Sequence, residues 1–250
     1  MIRAYVGFDD TDNLDSDRGT GKLARWFERE LPEGCKIWGV VRQQLLVHDD
    51  IPYTSHNSSA CAVVDMPDRC LLDDLTVKAA AHLERYALEG SDPGLCIACE
   101  GDPALSLLID FGQKCTNRVL TQKDALEAAR DIHLSGHGGS CDGIIGAAAA
   151  VGLTAYGWSG RFIEYGKLRR VPESVPVTDL ERLNIMVVSL DRDGQCPAPE
   201  DLVNTKGWLR PRLWGKRPVL PVTPASPGVW DAMGEKRRKK AAADLSVVGA

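Results

Sequence analysis

The chain has 250 residues, 44% hydrophobic and 26% charged with a net charge of −5, a composition that excludes disorder and suffices for one large or two ordinary domains. No apolar run approaches the roughly 18–20 residues needed to cross a bilayer, and the start lacks the basic flank and apolar core of a secretory signal, so a cytoplasmic protein without membrane contact is expected. The eight cysteines are scattered, as free thiols in a reducing compartment would be.

In chain order, Met1 to Phe8 reads as a buried strand, and Asp9 to Gly19 as a loop dense in Asp, Asn, Ser and Gly. Leu23, Ala24, Phe27 and Leu31 recur at helical spacing, so a helix over 21–31 is expected, stopped by Pro32 and Gly34. Strands follow at Cys35–Val47 and Ser59–Asp65, an amphipathic helix at Leu71–Glu89 and a short strand at Gly94–Cys99. The single Cys96-Ile97-Ala98-Cys99 lacks a second pair at zinc-ribbon spacing and reads as buried strand. Helices are predicted near Asp102–Cys115, Thr121–His133 and Ile144–Val151, and strands at Arg161–Tyr165 and Asn184–Ser189. Pro172 and Pro176 mark a boundary, and the prolines after Pro197 leave room only for short elements. Strands and helices mix without a strict βαβ rhythm, which points to an α+β fold with a mixed sheet and packed helices.

Two segments carry candidate chemistry. Asp9, Asp10, Asp12, Asp15 and Asp17 crowd into one loop, and their repulsion must be relieved by a cation, hydrogen bonds or water. Asp9, Asp10 and Asp12 leave the end of a buried strand together, a placement that suits Mg2+ shared with phosphates. The offsets fit no EF-hand. Just beyond, Gly19-Thr20-Gly21-Lys22 opens the first helix, where free amides attract phosphate. Leu23 after Lys22, and Ser16 where the first glycine belongs, rule out a Walker motif, and an ordinary capped turn is the competing reading.

The second segment is Gly136-His137-Gly138-Gly139-Ser140-Cys141-Asp142-Gly143. Backbone amides in such a loop can form an anion nest through Gly136, Gly138 and Gly139, or the glycines can serve close helix packing. His137 and Asp142 are polar ligands or caps. Further on, lysines and arginines gather between Asn204 and Lys240 around Trp208, Trp214 and Trp230, a combination that stacks bases and neutralises phosphates or forms a solvated surface.

Gly7-Phe8-Asp9-Asp10-Thr11-Asp12 resembles the opening GIDDTD of the archaeal tRNA isoleucine agmatinylcytidine synthetases. Ile51-Pro52-Tyr53-Thr54 with Asn57 resembles their "IPYKTRGN", Asp92-Pro93-Gly94-Leu95 their "NPGL", and Gly143-Ile144-Ile145-Gly146-Ala147 through Gly152 their "GLIGALAAIG". The resemblance implies ATP, Mg2+, a kinase-like core with a small ferredoxin-like α/β portion, and Thr20 at the family's phosphorylated threonine. Asn57, Gly19, Gly21 and Lys22 would then contact the nucleotide. Departures are the missing Lys and Arg of "IPYKTRGN", Gly19 where the family carries a cysteine, and no zinc-ribbon cysteine pairs or OB-fold segment. The expected division is a catalytic core over 1–172 and a smaller region with a basic tail over 173–250. The expected function is ATP-dependent phosphoryl transfer to a small-molecule acceptor or RNA. A non-catalytic nucleotide- or RNA-binding module is the alternative, disfavoured because repelling carboxylates serve catalysis better than binding.

Overall fold

The computed structural model describes residues 1–13, 16, 18–51, 57–166 and 168–234. Strand β1 (Ile2–Asp9) opens the chain. Along it Ala4, Val6 and Phe8 enter one apolar cluster and Tyr5 another, the period of two imposed on a strand buried on both faces. Helix α1 (Thr20–Trp26) continues as a 3-10 turn over Phe27–Glu30 and stops before Pro32. Next come β2 (Lys36–Gln44), β3 (Ser58–Met66), α2 (Leu72–Tyr86) and β4 (Gly94–Cys99). Cys96 and Cys99 belong to clusters on opposite faces of the sheet, so this pair cannot grip one metal ion.

Helices α3 (Leu105–Lys114) and α4 (Gln122–Ala128) precede strand β5 (His133–Gly136) and helix α5 (Gly143–Tyr156). The helix expected through His133 therefore ends five residues early. Residues 133–136 instead pair with β4, from Ile97↔His133 to Gly94↔Gly136, because the edge of that strand offers backbone groups that a helix would leave unpaired. Helix α5 runs past Val151 to Tyr156 and closes on Gly157, whose left-handed φ of 79° a side chain would resist.

The remaining elements are β6 (Arg161–Glu164), β7 (Ser174–Pro176), α6 (Val177–Arg182), β8 (Met186–Ser189), β9 (Leu202–Asn204), β10 (Arg212–Trp214), β11 (Arg217–Ser226) and β12 (Val229–Ala232). The expectation of only short pieces beyond Pro197 is overturned by the ten residues of β11. Its Pro218 lies one pair beyond the two-residue Gly215-Lys216 turn, opposite Leu213, at a position where an antiparallel ladder requires no N–H toward β10.

All strands join one sheet in the order β5-β4-β1-β3-β2-β6-β10-β11-β12-β9-β7, with β8 on β11. Most neighbours are antiparallel, while β8–β11 and β9–β12 are parallel, so the fold is α+β with a mixed sheet. In its first half α3, α4 and α5 cover one face and α1 and α2 the other. A third cluster spans Phe162 to Trp230. Gly7 lets α5 lie directly on β1, since an added Cβ would overlap Ala147 O and stand 2.9 Å from Val151 Cγ2. No helix among the described residues is long and apolar enough to cross a membrane.

Candidate active site

The end of β1 and the start of α5 meet at a cavity of about 490 Å³. Its polar wall holds Asp9, Asp10, Asp12, Asp92, Asp142 and Thr20, and Leu45, Ile51, Leu120 and Ile145 supply apolar surface. Asp9 is the last strand residue, and Asp10 turns the chain with a left-handed φ of 49°. Burial, then Asp10 and Asp12, pushes the Asp9 carboxyl up to about 8. Burial, then Asp92, Asp12 and Asp142, pushes Asp10 up to about 6. Asp15 and Asp17 lie outside the described residues.

Among the described residues no three carboxylate, imidazole or thiolate groups converge into a ready-made metal cage, so Asp9, Asp10 and Asp12 do not form one closed ligand set. The oxygen-only, mutually repelling donors still fit magnesium, which takes one or two carboxylates and completes its shell with water and phosphate.

Thr20 is buried and is the first residue of α1; the N-cap is Gly19, so the hydroxyl is no helix cap. Thr11 donates to Thr20 Oγ1 from its own Oγ1 at 3.1 Å and from its N at 3.4 Å. Thr20 Oγ1 in turn donates to Asp12 Oδ1 over a long 3.5 Å. Thr11 thus supplies one ordinary and one long donor to this oxygen, and the proton points at a carboxylate.

Thr20 and Asp12 also line a second cavity, of about 260 Å³, together with Gly19, Gly21, Lys22, Arg25, Arg42, Arg169 and Arg210. One wall is therefore shared between an acidic chamber and a basic one. Gly21 faces Ile163, where a Cβ would stand 2.9 Å from Cδ1, and Lys22 Nζ lies 5.3 Å from the Trp26 ring. Because α1 has only seven residues, its dipole adds little, and the arginines dominate the field here.

The glycine-rich loop is organised differently. Ser140 donates to Asp92 from N at 2.9 Å and from Oγ at 2.7 Å, and Gly143 N donates to Asp92 O at 3.0 Å. His137 N donates to Pro93 O and Cys141 N to Gly138 O. The anion in this nest is the chain's own Asp92 carboxylate. Gly136, Gly138 and Gly139 line neither cavity; a Cβ on Gly139 would overlap Asp92, and one on Gly136 would press on Cys141. His137 ties the loop to its surroundings through Ser135 Oγ at 2.8 Å and Glu84 Oε1 at 3.0 Å. Asn57 lines the acidic cavity, with Nδ2 donating to Leu46 O at 2.6 Å.

Of the tryptophans set among basic residues, Trp208 lies under Arg210 at 4.7 Å and Arg169 at 5.5 Å. Trp230 is core, with Nε1 donating to Asp201 at 2.8 Å, and is not available to stack a base. Pro52–His56 and the tail from 235 onward lie outside the described residues. Asp92, Arg25, Arg42, Arg169 and Arg210 were not anticipated as site residues. Arg25 carried a signal, three positions after Lys22 on one helix face, and Arg210 another, among the basic residues gathered around Trp208; Arg42 and Arg169 carried none.

No protein-family model matches the chain, and no curated protein matches it. Solved structures do. The TiaS–tRNA(Ile2)–ATP complex shares 27% identity at a TM-score of 0.52, over 61% of this chain and 36% of that one. The TiaS–tRNA(Ile2)–AMPCPP–agmatine complex shares 26% at 0.52, over 73% and 44%. A tRNA fluorescent labeling enzyme shares 28% at 0.51, over 60% and 36%. The chain spans less than half the length of these proteins. Over these segments the chain is similar to TiaS in fold and, at 26–27% identity, in sequence.

Proposed function

We propose that the chain is an ATP- and Mg2+-dependent phosphoryl-transfer enzyme of the agmatidine synthetase kind, acting on RNA or on a small-molecule acceptor. Residues 1–172 form the catalytic core in this reading, and 173–250 a smaller flanking region with a basic tail. The TiaS neighbours crystallised with ATP, AMPCPP, agmatine and tRNA support ATP as donor and RNA among the acceptors. The observation that carries the reading is the Thr20 hydroxyl on the wall shared by a carboxylate chamber and an arginine chamber.

The apolar wall formed by Leu45, Ile51 and Ile145 suits a nucleobase, and Asp9, Asp10 and Asp12 would hold magnesium beside the phosphates. Magnesium, when bound, supplies charge neutralisation on the phosphate oxygens. Asp12 is the acceptor of the Thr20 proton, and the Thr11 hydroxyl orients Thr20 Oγ1, while the long 3.4 Å contact from Thr11 N gives way to free a lone pair for phosphorus. As Thr20 Oγ1 forms a bond to the γ-phosphorus, the bond from that phosphorus to the ADP oxygen breaks and the hydroxyl proton passes to Asp12.

Calorimetric titration with ATP, with magnesium and with excess chelator, tests the donor site. Binding that requires magnesium and is lost in Asp10→Asn supports it, and equal binding under chelation sinks it. Peptide mapping after incubation with ATP then looks for phosphate at Thr20.

A further inference from the structure

Four guanidinium groups, those of Arg25, Arg42, Arg169 and Arg210, and the Lys22 ammonium line the 260 Å³ cavity, and Asp12 on the shared wall is the one carboxylate among its lining residues. They come from α1, from β2, from the turn after β6 and from the segment before β10, so the fold collects them from four separated places. Glu164 is shared between Arg25 at 3.7 Å and Arg169 at 3.2 Å, one carboxylate for two cations. Arg42 is held by a neutral partner, Nε donating to Ser58 Oγ at 3.0 Å, and Arg210 is stacked 4.7 Å from the Trp208 ring. These contacts orient the guanidinium planes and, with Glu164 and Asp12 the carboxylates named against five cations, leave a surplus of positive charge. Arg210 is pushed down to about 10, first by burial and then by Arg169, Arg42, Arg161 and Arg25. Half-buried like charges that converge on open space cost stability, and a bound anion is what offsets that cost.

We propose that the arginine cavity is a second anion site that takes a phosphate group of the acceptor, across Thr20 from the nucleotide. The assignment rests on the phosphoryl-transfer reading and adds to it that the acceptor is phosphorylated. Oriented guanidinium forks match phosphate oxygens two at a time, which a lysine cluster would not. The cavity needs no metal to do this. It would hold the acceptor by a phosphate away from the reacting atom, so that binding free energy goes into orientation.

The test is calorimetry in excess chelator at fixed ionic strength, with inorganic phosphate, ribose 5-phosphate and a short oligoribonucleotide as separate probes. Wild type, Arg42→Gln and Arg210→Gln are compared, with Arg25→Gln in reserve should either variant fail to fold. The expected result is binding of at least one probe to wild type, weakened tenfold or more in the variants, whose melting temperatures without ligand equal or exceed that of wild type. Binding of ribose 5-phosphate supports a small phosphoester as source, and binding of the oligonucleotide alone supports a backbone phosphate. Unchanged affinity in the variants, no binding of any probe, or, in a separate titration with magnesium and no chelator, displacement of the probe by ATP overturns the second site. If the variants lose phosphate and the protein never binds ATP, the arginine site stands and the phosphoryl-transfer reading falls; the converse pattern separates them the other way.

Discussion

Gly146→Ala tests whether the Asp9 carboxyl acts from where the fold places it. Gly146 lies in the first turn of α5, and an added Cβ would overlap the Asp9 carboxyl and stand 3.0 Å from Asp9 Cβ. The helix cannot retreat without losing its fit, because Gly7 and Gly152 already bring α5 onto the backbone of its neighbours, Gly152 against Leu108 O. The carboxyl must therefore swing by on the order of 1.5 Å to regain ordinary contact. Alanine improves helix propensity by about 1 kcal/mol, whereas the local overpacking costs ~1–3 kcal/mol, so net stability falls by no more than about 2 kcal/mol. A displacement of that size at a reacting centre costs on the order of 100-fold in rate. Chemical denaturation and magnesium-dependent ATP turnover measured on the same preparation read the two effects separately. A folded Gly146→Ala protein turning over ATP at the wild-type rate would refute the placement of Asp9 in the site.

Thr20→Ser should keep phosphate incorporation in peptide mapping, and Thr20→Ala should lose it and melt lower, because the two Thr11 donors lose their shared acceptor at a cost of ~1–3 kcal/mol; a phosphorylation-competent alanine variant rules the nucleophile out. His82 is buried, with Nε2 3.0 Å from Leu23 O, and burial holds its imidazole below the usual range. The unfolded chain then takes up a proton that the folded one resists, so this contribution to stability is intact above about pH 6.5 and is lost as pH falls toward the folded value. Denaturation of His82→Gln should accordingly show a shallower acid-side decline than wild type, by up to ~1.4 kcal/mol per pH unit, and parallel curves would contradict the burial argument. Gly7→Ala should lose ~1–3 kcal/mol or more in denaturant titration, because its methyl meets helix backbone rather than a yielding side chain. Unchanged stability would mean that α5 is not pressed onto β1.

Local pattern was sufficient wherever burial imposes a period. The alternation in β1 and β3, the apolar stripe of α2 and the small residues of α5 each follow from a face that must be hidden, and each was readable in place. The acidic turn was equally legible, because Asp9, Asp10 and Asp12 are neighbours in sequence and leave a strand end together. Strand β5 was not, since His133–Gly136 takes its conformation from the unpaired edge of β4 and not from its own residues. Nor was β11, whose prolines argue against a strand until the register of its hairpin shows where an N–H is dispensable. The glycine loop looked like a phosphate cradle on its own, and only folding brought Asp92 into it. The arginine cavity is the clearest case of tertiary control. Residues 25, 42, 169 and 210 meet only after β6 has paired with β2 on one side and with β10 on the other. Sequence sets each charge, but Coulomb interaction depends on distance in space, and that distance is decided by strand order.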